Sequence, residues 1–296
     1  MYGGNANKIF VFGTSEYQNI DNMIYQGNEL NEKYTNKSVK VITPSYWSKM
    51  GFVKGGFNEN DVIVIPCGVD LKIFKPINKE KKSKIRKKLN IDNDHFVFLN
   101  VSAMTWNKGV DKLIAAFSEI KKKYSFVKLI LKDQSNLYGI TAKNIISDLK
   151  KRFPNELTDK VLSNIIVISR NLTLKELSEL YGSCDAYVSP YRAEGFNMPP
   201  LEAAACGIPT ILTSGGSTDD YYHPSFVLKI EGKKGLTAGN NYIKPNLENL
   251  VSNMSALIEK RNSSLKKDEA ISFIEKNFTW KIIGKKLSDL FINDSI

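Results

Sequence analysis

Residues 194–202 read Glu194-Gly-Phe-Asn-Met-Pro-Pro-Leu-Glu202, two carboxylates with seven residues between them. Before them stands Ala186-Tyr-Val-Ser-Pro-Tyr191, a run of strand type, and after them Leu201-Glu-Ala-Ala-Ala-Cys-Gly207, a small-residue helix. That order puts Glu194 in a loop at the carboxyl end of a strand and Glu202 one to two turns into the next helix. Open α/β sheets bind their ligands at this edge. A loop carboxylate there can reach a sugar hydroxyl or a developing positive charge, and a helical one can accept from a ribose diol. The spacing alone is a weak signal, because the helix dipole favours a glutamate near a helix N-terminus in any case.

Outward from this stretch the chain alternates strand and helix. His95-Phe-Val-Phe-Leu-Asn-Val101, Val127-Lys-Leu-Ile-Leu131, Asn164-Ile-Ile-Val-Ile-Ser169 and Thr210-Ile-Leu-Thr213 read as strands. Between the first two, Val110, Leu113, Ile114, Phe117 and Ile120 recur at helical spacing within 108–123. Residues 141–153 form a further helix that stops before Pro154, and Thr173-Leu-Lys-Glu176 is a capping box opening another. Alternation of this kind predicts a doubly wound parallel sheet over about residues 90–265. Ahead of it, Lys8–Phe12, Val39–Ile42 and Val62–Ile65 are strand candidates, with a helix starting near Ser45. No internal repeat and no low-complexity linker interrupts the 296 residues.

Composition narrows the function classes. The chain is 42% hydrophobic, enough for globular cores, and no apolar run reaches the length of a membrane span. The first residues lack the apolar centre of a signal peptide. Cys67, Cys184 and Cys206 have no metal-ligand spacing, which fits a reduced, cytoplasmic setting. The net charge of +11 is concentrated in residues 79–88, where seven of ten side chains are basic. A solvated helix is the simplest reading of that run. No aromatics interleave with the lysines as single-strand stacking would require, and no nucleic-acid motif is present. Peripheral attraction to an acidic membrane surface stays open.

The Glu194–Glu202 stretch continues through Gly207-Ile-Pro-Thr-Ile-Leu-Thr-Ser-Gly-Gly216. This run of more than twenty residues resembles the donor-sugar site of family 4 retaining glycosyltransferases, enzymes of the GT-B fold. Pro66-Cys-Gly-Val-Asp70 with Phe74-Lys-Pro76 resembles the segment by which that family leaves its N-terminal domain. Thr279 to Phe291 is similar to the helix that crosses back to it. The resemblance implies a GT-B-like α/β protein divided as residues 1–75, a partial acceptor-side α/β domain; 76–275, a Rossmann-like nucleotide-sugar-binding domain; and 276–296, the returning helix.

The resemblance also assigns roles. Glu194 would hold donor-sugar hydroxyls or stabilise positive charge at the anomeric carbon, and Leu201 and Glu202 would lie under the ribose. Asn197 and Met198 would turn their N–H groups toward the sugar and β-phosphate. Lys108, in the loop Ser102-Ala-Met-Thr-Trp-Asn-Lys-Gly-Val110 before a helix, would bind the diphosphate, where charge and backbone N–H groups add. Family members carry an arginine where Ala103 stands here, and Lys132, ending its strand at the same edge, is the proposed substitute. Arg170 either stacks on the base or remains an exposed loop residue. Gly215, Gly216 and Ser217 either line the pocket floor or are plain turn residues. Asp92-Asn-Asp94 matches a metal-binding pattern by letter, yet it precedes a strand and reads as a turn, so neither metal nor cofactor is expected. His95 is read as a strand-edge residue and His223 as a loop residue.

The expected activity is retaining, metal-independent sugar transfer from a nucleotide diphosphate sugar to a glycan, lipid or protein acceptor. The residues before 76 are fewer than the family's N-terminal domain holds, which raises the expectation of a partner chain completing it. A catalytically silent donor-binding subunit and a basic nucleic-acid-binding protein are the alternatives. Donor binding without transfer would select the first, and nucleic-acid binding with a steep salt slope the second.

Overall fold

The computed structural model describes residues 8–20, 38–260 and 266–293. Residues 1–7, from which the lack of a signal-peptide core was read, lie outside these. Among the described residues no helix is long and apolar enough to cross a membrane.

Three parallel strands come first: β1 (Lys8–Phe12), β2 (Ser38–Thr43) and β3 (Val62–Val64), in the order β1-β2-β3. The helix Tyr46–Lys54 lies between the last two, and the Ser45 hydroxyl caps it by accepting from the Ser48 N–H. Two small apolar clusters cover the sheet. Ile20, Val41, Phe52 and Val62 form one. Ile42, Ile65 and Ile283 form the other, with Leu287 and Leu290 against it. The helix Trp280–Asn293 thus packs on this sheet, and Phe10 meets Phe291 edge-on at 4.9 Å. The Val69 N–H donates to the Phe278 carbonyl at 2.7 Å where the chain comes back.

A six-stranded parallel sheet follows: β4 (Phe96–Val101), β5 (Val127–Lys132), β6 (Ile165–Ile168), β7 (Ala186–Ser189), β8 (Thr210–Thr213) and β9 (Val227–Ile230). The spatial order is β6-β5-β4-β7-β8-β9. Counted within this sheet it is 3-2-1-4-5-6, the doubly wound order with its switch point between β4 and β7. β4 is buried along its whole length. Phe96 and Phe98 face one core, with Leu113, Ile114 and Phe117 of the helix Val110–Lys123. Val97, Leu99 and Val101 face the other, with Leu180, Leu201 and Ile274. Burial on both faces explains why the strand reads as a continuous apolar run rather than an alternation.

The capping box at Thr173 and Glu176 forms as expected, each side chain bonding the other residue's N–H. A second one, Thr141 with Asn144, opens the helix Ala142–Arg152. The basic run is the helix Lys79–Lys88. Its Arg86 is buried rather than solvated: one nitrogen bonds Asp185 at 2.6 Å and the others reach the carbonyls of Ser183, Asn93 and His95. That anchor makes the helix two-faced, with Lys79, Lys84, Lys87 and Lys88 outward.

The sequence reading contained neither β9 nor the elements between it and the returning helix. The strands β10 (Gly232–Thr237) and β11 (Asn240–Pro245) form an antiparallel hairpin. The helices Leu247–Glu259 and Lys267–Asn277 follow and close the two cores.

Candidate active site

At the switch point the loop after β4 meets the loop after β7. Their junction leaves no room for a side chain at residue 109. Gly109 has φ +68°, and a Cβ there would overlap the Pro190 carbonyl oxygen. The Asn107 carbonyl accepts the Arg192 N–H at 2.6 Å and the Ala193 N–H at 3.3 Å. The Arg192 guanidinium grips Asp111 with two bonds of 2.7 and 2.6 Å, takes the Trp106 carbonyl at 2.6 Å, and stacks over the Trp106 ring at 4.7 Å. Burial resists ionisation of Asp111, yet the Arg192 fork outweighs it and holds the carboxyl below its ordinary value. The result is two loops fixed as one rigid rim.

That rim aims Lys108 at Glu194, with Nζ 2.9 Å from Oε2. A second carboxylate reaches Lys108 from the first sheet. Glu16, in the stretch after β1, lies 3.2 Å from Nζ and accepts from the Asn107 side chain at 2.9 Å. Glu194 is 8% exposed. Burial drives its carboxyl up, Lys108 pulls it back, Glu16 pushes it up again, and the balance is about 7. For Lys108, burial favours the neutral amine, but the two carboxylates win and hold its pKa above the ordinary value. One cation shared by two carboxylates is an arrangement an incoming anion can take over. An anion drawn to Lys108 would displace Glu194, which a proton can then neutralise near pH 7. Tyr17 stands beside the group, its phenol pushed up by burial and then by Glu16.

Gly195 passes so close to the first sheet that a Cβ would overlap the Thr14 methyl, and its carbonyl accepts the Ser45 hydroxyl. Asn197 adopts φ +67°. Its amide donates to the Ser189 hydroxyl at 3.0 Å and its carbonyl accepts the Tyr221 hydroxyl at 2.6 Å, which pins the turn. Met198 is the N-cap of the helix Pro199–Ala205. The Met198 carbonyl accepts the N–H of Leu201 at 2.9 Å and of Glu202 at 3.2 Å. The Leu201 side chain is fully buried in the core, so this residue supports the site from below. Glu202 accepts the Tyr181 hydroxyl at 2.8 Å, and burial raises its carboxyl, partly offset by that bond.

Lys132 ends β5 and is buried, its ammonium donating to the Asp133 carbonyl. Burial lowers its pKa, with Asp133 opposing and Arg170 reinforcing. Its charged neighbours are therefore Asp133 and Arg170, not Lys108. Arg170 is exposed and pairs with Glu176 at 2.9 Å. Gly216 packs against the Tyr191 hydroxyl, and the buried Ser217 opens the short helix Ser217–Tyr221. His95 lies just ahead of β4 and His223 in the loop before β9. Among the described residues, one group of three metal-capable side chains comes together: Asp92, Asp94 and His95. It sits at the amino ends of the strands, away from the rim.

Glu16, Asn107 and Arg192 were not identified as site residues from the sequence. Asn107 adjoins Lys108 and carried a positional hint. Glu16 carried none, because its role depends on contact with a residue ninety-two positions away.

Comparison with known proteins bears on the family and the fold. Residues 81–267 match the family described as glycosyl transferases group 1. A GDP-mannose-dependent monoacylated alpha-(1-6)-phosphatidylinositol monomannoside mannosyltransferase of Corynebacterium glutamicum is 24% identical over 238 residues, covering 76% of this chain and 55% of that protein. An N,N'-diacetylbacillosaminyl-diphospho-undecaprenol alpha-1,3-N-acetylgalactosaminyltransferase of Campylobacter jejuni is 32% identical over 155 residues, covering 51% of this chain and 36% of that protein. The chain thus spans about half, or less, of the curated relatives it matches. The crystal structure of Anabaena HepE in complex with UDP superposes with a TM-score of 0.76 at 18% identity, over 96% of this chain and 72% of that one. The fold is GT-B-like, and the chain belongs to the glycosyl transferases group 1 family.

Proposed function

We propose that the chain transfers a sugar from a nucleotide diphosphate sugar to an acceptor hydroxyl with retention at the anomeric carbon and without a metal. The observation that carries this reading is Lys108 held 2.9 Å from Glu194 at the switch point of the large sheet. The bond from the anomeric carbon to the diphosphate breaks, and its electron pair leaves with the diphosphate oxygen. The acceptor oxygen bonds to the same face of that carbon, and its proton goes to the released diphosphate. Lys108 offsets the charge on the leaving group, and Lys132 adds a second cation from the carboxyl end of β5. Glu194 holds sugar hydroxyls or the positive charge that develops at the anomeric carbon. Glu202 takes the ribose, Asn197 and Met198 face the sugar and β-phosphate, Leu201 supports them, and Arg170 lies toward the base.

The same proposal includes the division at residues 75 and 275, a partner chain that completes the acceptor side, and contact of the exposed Lys79, Lys84, Lys87 and Lys88 with an acidic membrane surface. A thermal-shift screen of nucleotide sugars tests the donor claim, since a ligand at 100 times its dissociation constant stabilises by about 2.7 kcal/mol. Excess EDTA should leave the dissociation constant within about twofold, and a tenfold loss, about 1.4 kcal/mol, would refute metal independence. Mass spectrometry of sugar transferred by the purified chain separates an enzyme from a silent donor-binding subunit.

A further inference from the structure

Beside the rim lies a cavity of about 310 Å³, lined in part by Gly215 and Gly216, that none of the contacts proposed for the donor uses. Its walls come from three places. Gln18, Tyr46 and Trp47 belong to the first sheet and its helix, Asp219 and Asp220 to the short helix after β8, and Lys234, Asn241 and Tyr242 to the hairpin. The hairpin is the roof, and hydrogen bonds tie it down on both sides. The Asn241 N–H donates to the Tyr17 carbonyl at 2.8 Å, and the Ile243 N–H donates to the Arg192 carbonyl at 2.7 Å. The cavity's walls are therefore joined to the rim, through Glu16-Tyr17-Gln18 on one side and through Arg192 on the other.

Its lining is fixed in place. The Tyr46 N–H donates to Asp220 at 2.7 Å, the Gly215 N–H to Asp219 at 2.9 Å, and the Lys54 ammonium to the Gln18 side chain at 2.7 Å. The Trp47 indole N–H donates to the Glu16 carbonyl at 2.7 Å, which links this wall directly to the residue that holds Lys108. Tyr242 packs edge-on against Trp106 at 5.2 Å. Tyr46 is 66% exposed and adds an open apolar face to the wall.

The chemistry selects a ligand. Each aspartate spends one oxygen on a backbone N–H and keeps acceptor capacity for hydroxyl protons. Two lysines, Lys54 and Lys234, balance the two carboxylates, so the cavity has no excess charge to attract a phosphate. Aromatic rings offer flat faces to the C–H side of a ring while carboxylates and amides take its hydroxyls. We propose that this cavity binds an uncharged pyranose ring of the acceptor and presents it to the donor held at Lys108 and Glu194. This assignment rests on the glycosyl-transfer reading above and adds the acceptor's class, a neutral glycan end.

The test is a titration of the ¹⁵N-labelled full chain with methyl α-glucoside, methyl α-mannoside and methyl β-N-acetylglucosaminide, with glucose 6-phosphate as the charged control. At least one neutral glycoside should saturably shift the Trp47 indole N–H together with the amides of Gly215, Gly216 and Asn241. Tyr46→Ala removes an exposed ring without opening a core, and should weaken that binding by about tenfold. UDP binding to the same variant should not change. Three outcomes would overturn the assignment: no neutral glycoside shifts these signals, only the phosphorylated sugar does, or Tyr46→Ala leaves the titration as it was. Failure of the donor reading would look different, as loss of UDP and nucleotide-sugar binding with the glycoside titration intact.

Discussion

Replacing Glu194 with glutamine should remove a pH dependence that the wild-type fold carries near neutrality. The Glu194 carboxyl titrates at about 7 against an ordinary 4.5, so ionising it in the fold costs about 3 kcal/mol more than in the unfolded chain. The folded form holds this proton more tightly than the unfolded one. Its contribution to stability is therefore full below about pH 4.5 and lost as pH rises through about 7. Between about pH 5.5 and pH 8.5 the wild type loses about 2 kcal/mol that Glu194→Gln, with no proton to release, retains. Groups that do not touch Glu194 are common to the two proteins and cancel in the comparison, and Lys108, whose pKa is held above its ordinary value, stays charged across this window. Urea unfolding of both proteins at both pH values gives this double difference directly. A double difference within about 0.5 kcal/mol of zero, or of opposite sign, would show that Glu194 does not change charge in this window and would refute the assignment. On the proposed function the same proton also governs donor binding. A diphosphate that takes Lys108 from Glu194 favours the neutral carboxyl, so nucleotide-sugar affinity should fall as pH rises through about 7. The limit is about tenfold per pH unit, and the slope should vanish in Glu194→Gln.

Lys108→Ala should weaken nucleotide diphosphate binding by roughly 1.5–3 kcal/mol, read by calorimetry. Lys132→Ala should weaken it less, because that ammonium already bonds the Asp133 carbonyl, and the double variant should depart from additivity if both cations meet one diphosphate. A silent Lys132→Ala would leave Ala103 without a substitute. Glu202→Ala should weaken bare UDP and GDP, whereas Glu194→Ala should mainly harm the sugar nucleotide; equal losses on both ligands for Glu194→Ala would reverse the assigned roles. Glu202→Ala also strips the buried Tyr181 hydroxyl of its partner, which should cost about 1–3 kcal/mol of stability. Gly109→Ala forces a Cβ into the Pro190 carbonyl at φ +68° and should lower the urea midpoint by the equivalent of roughly 2–4 kcal/mol, with donor binding lost as the two loops separate.

The amino-acid sequence alone determined the alternation of the large domain, because strand and helix are written in local periods. The apolar run at 95–101 became β4 within one residue, and the capping box at Thr173 and Glu176 formed as read. The order of elements then places Lys108 and Glu194 at carboxyl ends of strands, which made both legible as candidates. What it does not contain is which strands become neighbours. The juxtaposition of β4 with β7 brings Lys108 to Glu194, and that pairing is a property of the sheet rather than of either loop. Glu16 meets Lys108 only because the two sheets pack together, and Arg192 finds Asp111 for the same reason within the large sheet. The buried Arg86 inside a basic run is likewise invisible until Asp185 is placed beside it. The hairpin was missed on local grounds. Its two-residue turn is Ala238-Gly239, both at positive φ, and alanine is a poor resident of that conformation. Local interactions fix each element's type, but charge pairing, burial and the walls of the cavity depend on contacts between residues far apart in the chain.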